Sequence, residues 1–571
     1  MQQSQGGHQV VVLDNGAGSI KLGFEGEANP RLVFPNCTAK PKGERQLYVG
    51  DALLEARELG GMVLRRPHDR GFMVNYDLER DIWQRGFASL AAAAAAGQLQ
   101  GMGSGPGGGS SSSKSKAALD CRAYSLLLTE PLFNFDAVRA ATEEIVFEEF
   151  GFNSLLAAPA PFFSLHHICN IPVIAQPAPQ QPLSIPGVPA AAGSAGGQVI
   201  DSAEAALATY GAPVRALSAA GVAALTAAKA AGAGVIIDAG FSAAYAVPFF
   251  DGQLLPGGVR RLGLGGKALT NLLKETVSYR SLNMADEGLL MERLKDQLCW
   301  VSQRCALRLA VWSCCECCRW GGSLNKADKG LLMERLKEQM CWVSQDAVAD
   351  LHRSNPLNRS PHRRDVVLPD GVHNLRGYVN PPTAEVVAAL SPGGKHHGIA
   401  TGPWPAKPQH IIDVEKKEAA ERAAAGAAEG GSSKQRAGGP SVSDQVLQLN
   451  NELFMVPEAL FRPSDIGLQQ GGMAEVVMQA VAACPPGLAP LLYGQVVLTG
   501  GCCNLPGFAA RFECELRTMV PSDFELVVLA PQEPELTAWQ GASAFAAGDN
   551  YWQCVRTKQQ YEEQGGGRRD R

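Results

Sequence analysis

The stretch Val10-Val-Val-Leu-Asp14-Asn-Gly16-Ala-Gly18 is an apolar run that ends in an acid and two glycines. The same design returns in Val235-Ile-Ile-Asp238-Ala-Gly240, and a third run, Val496-Val-Leu-Thr-Gly500-Gly501, lacks the acid. Each segment predicts a buried strand that leads into a tight glycine turn. One such segment alone is weak evidence, since strand–glycine turns are common in α/β proteins. Three such segments in order along the chain, two of them with an aspartate, indicate that they contribute to one site.

Together the three turns predict a site for a phosphorylated ligand. Glycine lets the backbone approach a phosphate closely and point its N–H groups at it. An aspartate at the end of a strand can hold the water shell of a Mg²⁺ ion that accompanies the phosphates. Two facing hairpins of this kind would clamp the phosphates, and the third turn would cover a base.

Bulk composition excludes several classes of protein. The net charge is −5 and charged residues make up 19%, so the chain as a whole has no electrostatic footprint for nucleic acid. The N-terminus lacks the pattern of a signal peptide, and no apolar stretch is long enough to predict a membrane span. The 15 cysteines, without a secretory signal, favour a reducing intracellular compartment.

Low-complexity segments divide the globular pattern. We expect insertions without fixed structure at 91–118, at 171–233 and at 392–443, and a flexible tail at 562–571. The predicted folded parts are 1–170, which contains the first insertion, 234–391 and 444–561. Insertions of this kind are tolerated where loops lie on a protein's surface.

A tandem duplication interrupts the second of these folded ranges, 234–391. Residues 281–303 recur as 323–345, and the two copies differ at four of 23 positions: Met284/Lys326, Glu287/Lys329, Asp296/Glu338 and Leu298/Met340. Only one copy can occupy one place in a fold. Between them lies Cys314-Cys315-Glu316-Cys317-Cys318, but a zinc site normally needs a second, separated pair or histidines. The pattern therefore favours a partial duplication at gene level, or an error in the chain, over a metal site.

Laid out in order, these segments make the chain resemble the actin superfamily, and within it the nuclear actin-related branch. The similarity covers 10–90, 125–167, 234–303 (or 323–350), 365–381 and 444–561. The stretches that carry it, beyond the three turns, are Pro35-Asn36-Cys37, Leu128-Thr-Glu130-Pro131, Gly265-Gly-Lys267, Val456-Pro457-Glu458 and Ala538-Trp539-Gln-Gly541.

The resemblance implies an α/β fold of the kind shared by actin, heat-shock chaperones and sugar kinases, with two halves around a deep nucleotide cleft. It implies ATP (or ADP) with Mg²⁺, in a structural role. By similarity, the phosphate side would be lined by Asp14, Gly16, Gly18, Lys21, Asp238 and Gly240, with Asp14 and Asp238 serving the metal ion. Lys337 and Glu338 (or Lys295 and Asp296 of the first copy) would flank base and ribose, and Gly500 and Gly501 would cover the base.

Four positions depart from the actin pattern in ways that bear on chemistry. Ala17 replaces a hydroxyl residue of the first turn, and Phe241 follows the second turn where actin has Asp-Gly. Ala160 aligns with the glutamine that orients actin's attacking water, and Glu535 aligns with a lysine near the adenine. Positioning of the water is a large share of phosphoryl-transfer catalysis. We therefore expect weak or absent ATP hydrolysis.

The resemblance further implies a non-polymerising scaffold subunit of a nuclear, SWR-type chromatin-remodelling complex, which deposits the Z-type histone variant while another chain supplies the ATPase motor. Its partners would be the other subunits and, indirectly, variant histone dimers. The basic loop at 353–364 offers a weak or indirect DNA contact. No membrane partner is expected, nor a filament, since residues 37–49 are few compared with actin's subunit-contacting loop. The alternatives are an active phosphotransferase of the same superfamily and a cytoskeletal actin-like protein.

Overall fold

A computed structural model describes residues 8–41, 45–53, 62–101, 119–170, 212–215, 217–281, 330–355, 360–367, 378–379 and 446–564. The predicted insertion at 392–443, the first repeat copy beyond Ser281 and the cysteine cluster at 314–318 lie outside these residues. So do most of the predicted insertions at 91–118 and 171–233.

The strands in chain order are β1 (Val10–Asn15), β2 (Ser19–Phe24), β3 (Leu32–Pro35), β4 (Thr38–Pro41), β5 (Tyr48–Val49), β6 (Met62–Arg65), β7 (His68–Asp69), β8 (Phe72–Met73), β9 (Ser125–Glu130), β10 (Ser154–Pro159), β11 (Ala212–Pro213), β12 (Gly234–Ala239), β13 (Ala244–Phe250), β14 (Gln253–Leu254), β15 (Arg260–Leu262), β16 (Arg364–Val367), β17 (Tyr378–Val379), β18 (Val446–Leu449), β19 (Val496–Thr499), β20 (Val528–Ala530) and β21 (Arg556–Thr557).

The α-helices are α1 (Tyr76–Gly101), α2 (Asp136–Glu144), α3 (Ala160–Cys169), α4 (Ala219–Ala230), α5 (Gly266–Ser281), α6 (Gly330–Met340), α7 (Ala347–Arg353), α8 (Glu452–Glu458), α9 (Met473–Ala482), α10 (Ala489–Tyr493), α11 (Phe508–Met519), α12 (Thr537–Ala546), α13 (Tyr551–Cys554) and α14 (Lys558–Gln564). A π-helix, Ile145–Phe150, follows α2 directly. Among the described residues no helix is both long and apolar enough to cross a membrane.

The two larger sheets repeat one arrangement of strands. The first has the order β21-β10-β9-β1-β2-β3, and the second has the order β11-β20-β19-β12-β13-β14, with β15 also paired to β13. In each sheet an antiparallel hairpin, β1–β2 or β12–β13, is extended by two parallel strands. The predicted actin-like α/β fold of two halves is confirmed, and the structure adds that the two sheets share one strand arrangement.

The three apolar runs form the strands that the sequence predicts. β1, β12 and β19 are almost wholly buried, because each lies inside a sheet with packing on both faces. The carboxyl ends of the parallel strands β12 and β19 meet at one edge, so their turns lie side by side. In the first hairpin, the register places Asp14 opposite Lys21.

Two helices from distant parts of the chain join the halves. α12, near the C-terminus, packs against α3 so closely that a Cβ on Gly541 would lie 1.9 Å from the Phe163 carbonyl oxygen. The Trp539 indole of α12 donates to the Val12 carbonyl oxygen of β1 at 3.2 Å. On the other side of α3, Ile168 belongs to the same apolar cluster as Ile236 of β12. The C-terminal range therefore contributes to both halves.

Three predicted insertion boundaries are wrong. The alanine run from Ala91, expected to be flexible, continues α1 as far as Gly101, because alanine has the highest helix propensity. Within 171–233, α4 is folded: the Ser218 hydroxyl caps its start at Gly221 N, and Leu225 is buried. The C-terminal helix α14 runs to Gln564, three residues into the predicted tail.

The second copy of the repeat supplies the described part of the fold. Met333, Leu336 and Met340 of α6 are buried in the core of the second half, followed by Trp342 and Val343. The apolar stripe of the repeat is therefore core, as its helical spacing predicts.

Candidate functional site

The first turn is held by a buried ion pair at the end of β1. Lys21 Nζ lies 2.9 Å from Asp14 Oδ2, and both side chains are about one-tenth exposed or less. The Thr129 hydroxyl, at the end of the neighbouring strand β9, donates to Asp14 Oδ1 at 2.6 Å and accepts from the Asn15 N–H at 2.9 Å. Both oxygens of Asp14 therefore have partners within the protein, and the carboxylate is fixed in one orientation.

A buried polar group lies beneath this turn. The Asn36 amide donates to the Gly16 carbonyl oxygen at 3.1 Å and to Glu79 Oε1 at 3.2 Å. The Trp83 indole donates to Asn15 Oδ1 at 3.2 Å. Glu79 is fully buried, and burial raises the pKa of its carboxyl to about 7, an effect that the hydrogen bond from Asn36 partly offsets. The turn thus rests on α1 through side chains.

The second turn carries Asp238 at the end of β12. Burial, and next the charge of Asp14, raise the pKa of Asp238 to about 6, while the charge of Lys21 lowers it. The two acids and the lysine of the prediction are thus close enough to interact. The carbonyl oxygens of Gly240 and Phe241 accept from the Gly266 and Lys267 N–H groups at 3.1 and 2.8 Å. These amides at the start of α5 are therefore already paired.

The third turn lies beside the second. Gly500 has φ +90°, and a Cβ there would lie 2.5 Å from the Ala239 carbonyl oxygen, so this position requires glycine. A Cβ on Gly501 would meet no atom within 4 Å. Lys337 is buried and its ammonium donates to the Gly266 carbonyl oxygen at 3.3 Å, whereas the neighbouring Glu338 is exposed. The second repeat copy therefore places Lys337 beside the second turn.

The space between the first two turns holds an aromatic ring. A Cβ built on Gly18 would lie 2.9 Å from both Cβ and Cγ of Phe241. The phenylalanine side chain is thus in direct contact with the glycine that was expected to approach a phosphate. It is the bulky residue that departs from the actin pattern.

The expected nucleotide site has two parts, the metal ligands and the phosphate clamp, and the structure fits them differently. The carboxylates of Asp14 and Asp238, which interact electrostatically, are the ligand type that Mg²⁺ prefers, directly or through water. The phosphate clamp does not fit, because the Phe241 ring fills the approach to Gly18. In the described residues we find no group of three or more potential metal ligands.

The position expected to orient an attacking water carries only a methyl group. Ala160 begins α3 directly after β10. β10 pairs with β9, the strand that carries Thr129. Glu535, at the predicted adenine side, accepts a hydrogen bond from the Asn504 amide at the end of the third turn. Neither residue offers the group that actin has there.

Several residues of this site went unassigned in the sequence. Thr129 and Asn36 stand in motifs that carry the resemblance, so they could have been found as polar residues at strand ends. Glu79 lies on the buried face of α1, where an acid is unusual. Arg66 contacts the Gly18 carbonyl oxygen and Glu334. No motif in the sequence marks Arg66 as part of the site, because Glu334 is 268 residues away.

In the described part of the basic loop at 353–364, which leaves out 356–359, the arginines contact neighbouring groups of the chain. Arg353 pairs with Asp350 at 2.8 Å, and Arg363 pairs with Asp365 at 3.0 Å. Arg364 is buried and donates to the Pro361 carbonyl oxygen at 3.0 Å. Three of its basic side chains thus have structural partners.

The fold and the site together define a protein of the actin family, and the chain belongs to that family: the actin profile matches residues 5–170 and 198–568. Among curated relatives, the chain is 32% identical to Actin-related protein 6 of Oryza sativa over 98% of its own length and 97% of the relative's. It is 30% identical to Actin-related protein 6 of Arabidopsis thaliana, over 98% of each chain. It is 28% identical to that of Drosophila melanogaster, over 97% of each. The predicted resemblance to Actin-related protein 6 is confirmed.

Proposed function

We propose that this chain is a non-polymerising scaffold subunit of an SWR-type chromatin-remodelling complex in the nucleus. In that complex an ordinary nucleosomal histone is exchanged for its Z-type variant, and another chain supplies the ATPase motor. The observation that carries the proposal is the end-to-end similarity to Actin-related protein 6 of plants and animals. A match over the whole chain supports a shared role better than a match of the cleft alone.

The site supports a scaffold more than a catalyst. The side chains that surround the first turn bond to one another, through Asp14–Lys21, Thr129 and Asn36, so the turn has a fixed shape. Ala160 offers no hydrogen-bonding group for a water. Electrostatic and positional contributions dominate phosphoryl transfer, and a site that lacks them is a poor catalyst.

The bound ATP or ADP with Mg²⁺ that the resemblance implies does not fit the turns, since the Phe241 ring lies against Gly18. Weak DNA contact through the basic loop stays a prediction. The scaffold role does not depend on either. Subunit docking needs a rigid surface, and the two halves are already joined by α3 and α12, whose contact leaves no room for a Cβ on Gly541.

Affinity purification of the native, tagged protein from nuclear extract tests the proposal. We expect the subunits of a chromatin-remodelling complex, including an ATPase of another chain, to co-purify together with variant histone. An Asp14→Asn variant, which keeps an oxygen for the Thr129 hydroxyl but removes the charge, should recover the same set. Absence of remodeller subunits from both samples, or recovery of the tagged protein in filaments, would contradict the assignment.

A further inference from the structure

Three side chains from separate parts of the chain meet across the cleft. Arg66 lies just after β6 in the first half, Phe241 lies in the turn after β12, and Glu334 lies on α6. β6 belongs to the small sheet β5-β4-β6, whereas β12 and α6 belong to the second half. A contact among these residues therefore joins the two halves at the first and second glycine turns.

The Arg66 guanidinium makes three different contacts there. Its Nη1 donates to the Gly18 carbonyl oxygen at 3.0 Å, and its Nη2 lies 2.8 Å from Glu334 Oε2. Its Cζ lies 4.4 Å from the centre of the Phe241 ring, within the range of a cation–π contact. The Arg66 and Glu334 side chains are only 13% and 17% exposed, so water screens this ion pair weakly.

The contacts also place Phe241 and Arg66 where an anion was expected. The ring lies against Gly18, so no phosphate can approach that glycine while the ring is there. The other cations at the turns are engaged as well: Lys21 pairs with Asp14, and Lys337 donates to the Gly266 carbonyl oxygen. A triphosphate between the turns would have to displace the ring and take Arg66 from its oxygen partners, the carbonyl groups of Ala17 and Gly18 and the Glu334 carboxylate.

We propose that Arg66, Phe241 and Glu334 form a clasp that holds the cleft closed in place of a triphosphate. Closure of the two halves is then a property of the folded chain, and adding Mg-ATP does not tighten it. The clasp concerns the ligand of the cleft and not membership of a complex, so its failure would leave the proposed function untouched.

Hydrogen exchange of the full-length protein, followed by mass spectrometry, tests the clasp. The readout is the exchange of amides at the first and second turns, residues 14–21 and 238–243, with strand β9 as an internal measure of folding. In the wild-type protein we expect slow exchange at both turns without nucleotide, and no change on addition of Mg-ATP. Slowing of the turns by about tenfold or more with Mg-ATP, an amount typical of a local opening that a ligand suppresses, would overturn the proposal.

Variants separate the clasp from general stability. Arg66→Ala removes the guanidinium and with it the contacts to both halves, and we expect exchange at both turns to rise by about tenfold or more while β9 keeps its protection. Arg261→Ala is the matched control, since Arg261 makes the same kind of contact with Tyr245, at 5.8 Å, but within one sheet. Equal exchange at the turns in wild type and Arg66→Ala would refute the clasp. If Arg66→Ala does not fold, the wild-type arm with Mg-ATP still decides the question.

Discussion

Replacing the buried Glu79 tests how the first turn is supported. Its carboxyl lies on α1 with no exposed surface, accepts from Asn36, and has a pKa raised to about 7 from its usual 4.5, chiefly by burial. A carboxyl of raised pKa binds its proton more tightly in the folded chain. Its contribution to stability is therefore fully present below pH 4.5 and is lost as the pH rises through 7.

The size of the effect follows from the two pKa values. The difference between about 7 and 4.5, at about 1.4 kcal/mol per pH unit, makes the cost of an ionised Glu79 in the fold about 3 kcal/mol. A Glu79→Gln variant stays neutral and keeps a carbonyl oxygen for Asn36. We expect it to be more stable than the wild type by up to about 3 kcal/mol at pH 8.5, but by less than about 1 kcal/mol at pH 5, where the Glu79 carboxyl stays protonated in the folded chain.

Urea unfolding followed by circular dichroism at both pH values measures this difference. Burial and next the charge of Arg66 lower the pKa of the neighbouring His68 imidazole to about 4, so His68 stabilises the fold increasingly as the pH rises from 4 to 6.5. Wild type and variant share this contribution, and it cancels in the difference between them. Glu149→Gln, at an exposed side chain, is the control and should change stability by less than about 0.5 kcal/mol at either pH. A Glu79→Gln variant that is equally destabilised at pH 5 and pH 8.5 would refute the reasoning.

Three further outcomes are expected. Gly500→Ala should lower the free energy of unfolding by about 2 kcal/mol or more in a urea titration, because φ is +90° and the added Cβ meets backbone, whereas Gly501→Ala should be near neutral. Arg511→Met should cost about 3 kcal/mol in the same assay, since it removes the buried ion-pair partner of the buried Glu458 carboxylate, while Arg462→Met, at an exposed partner of that carboxylate, should cost about 1 kcal/mol or less. Sedimentation of the purified protein with Mg-ATP should leave it in the supernatant, and filaments in the pellet would contradict the non-polymerising role.

The parts of the fold that follow from local pattern could be predicted from the sequence. Val10, Val235 and Val496 begin runs that are apolar on both faces, which only a buried strand accommodates, and each run ends at a glycine. The acids at their ends, Asp14 and Asp238, were assigned for the same reason. The helical spacing of the apolar residues in the repeat likewise predicts which of them are buried in the core.

Features that depend on distant partners could not be predicted. The burial of Leu225 in α4 depends on strands and helices from other segments. In the sequence Arg66 looks like any arginine on a solvated surface. Only the folded chain brings it to Gly18 and Glu334. Long-range contacts of this kind leave no periodic trace in a single sequence.

Phosphate release by the purified full-length protein with Mg-ATP tests most directly the claim that this actin-family cleft is structural. The reference is the Asp14→Asn variant, which lacks the charge expected to serve the metal ion. The account predicts that wild type and variant release phosphate at the same background rate, because the Phe241 ring lies between the turns and Ala160 offers no group to position a water. Sustained turnover by the wild type that Asp14→Asn abolishes would contradict it.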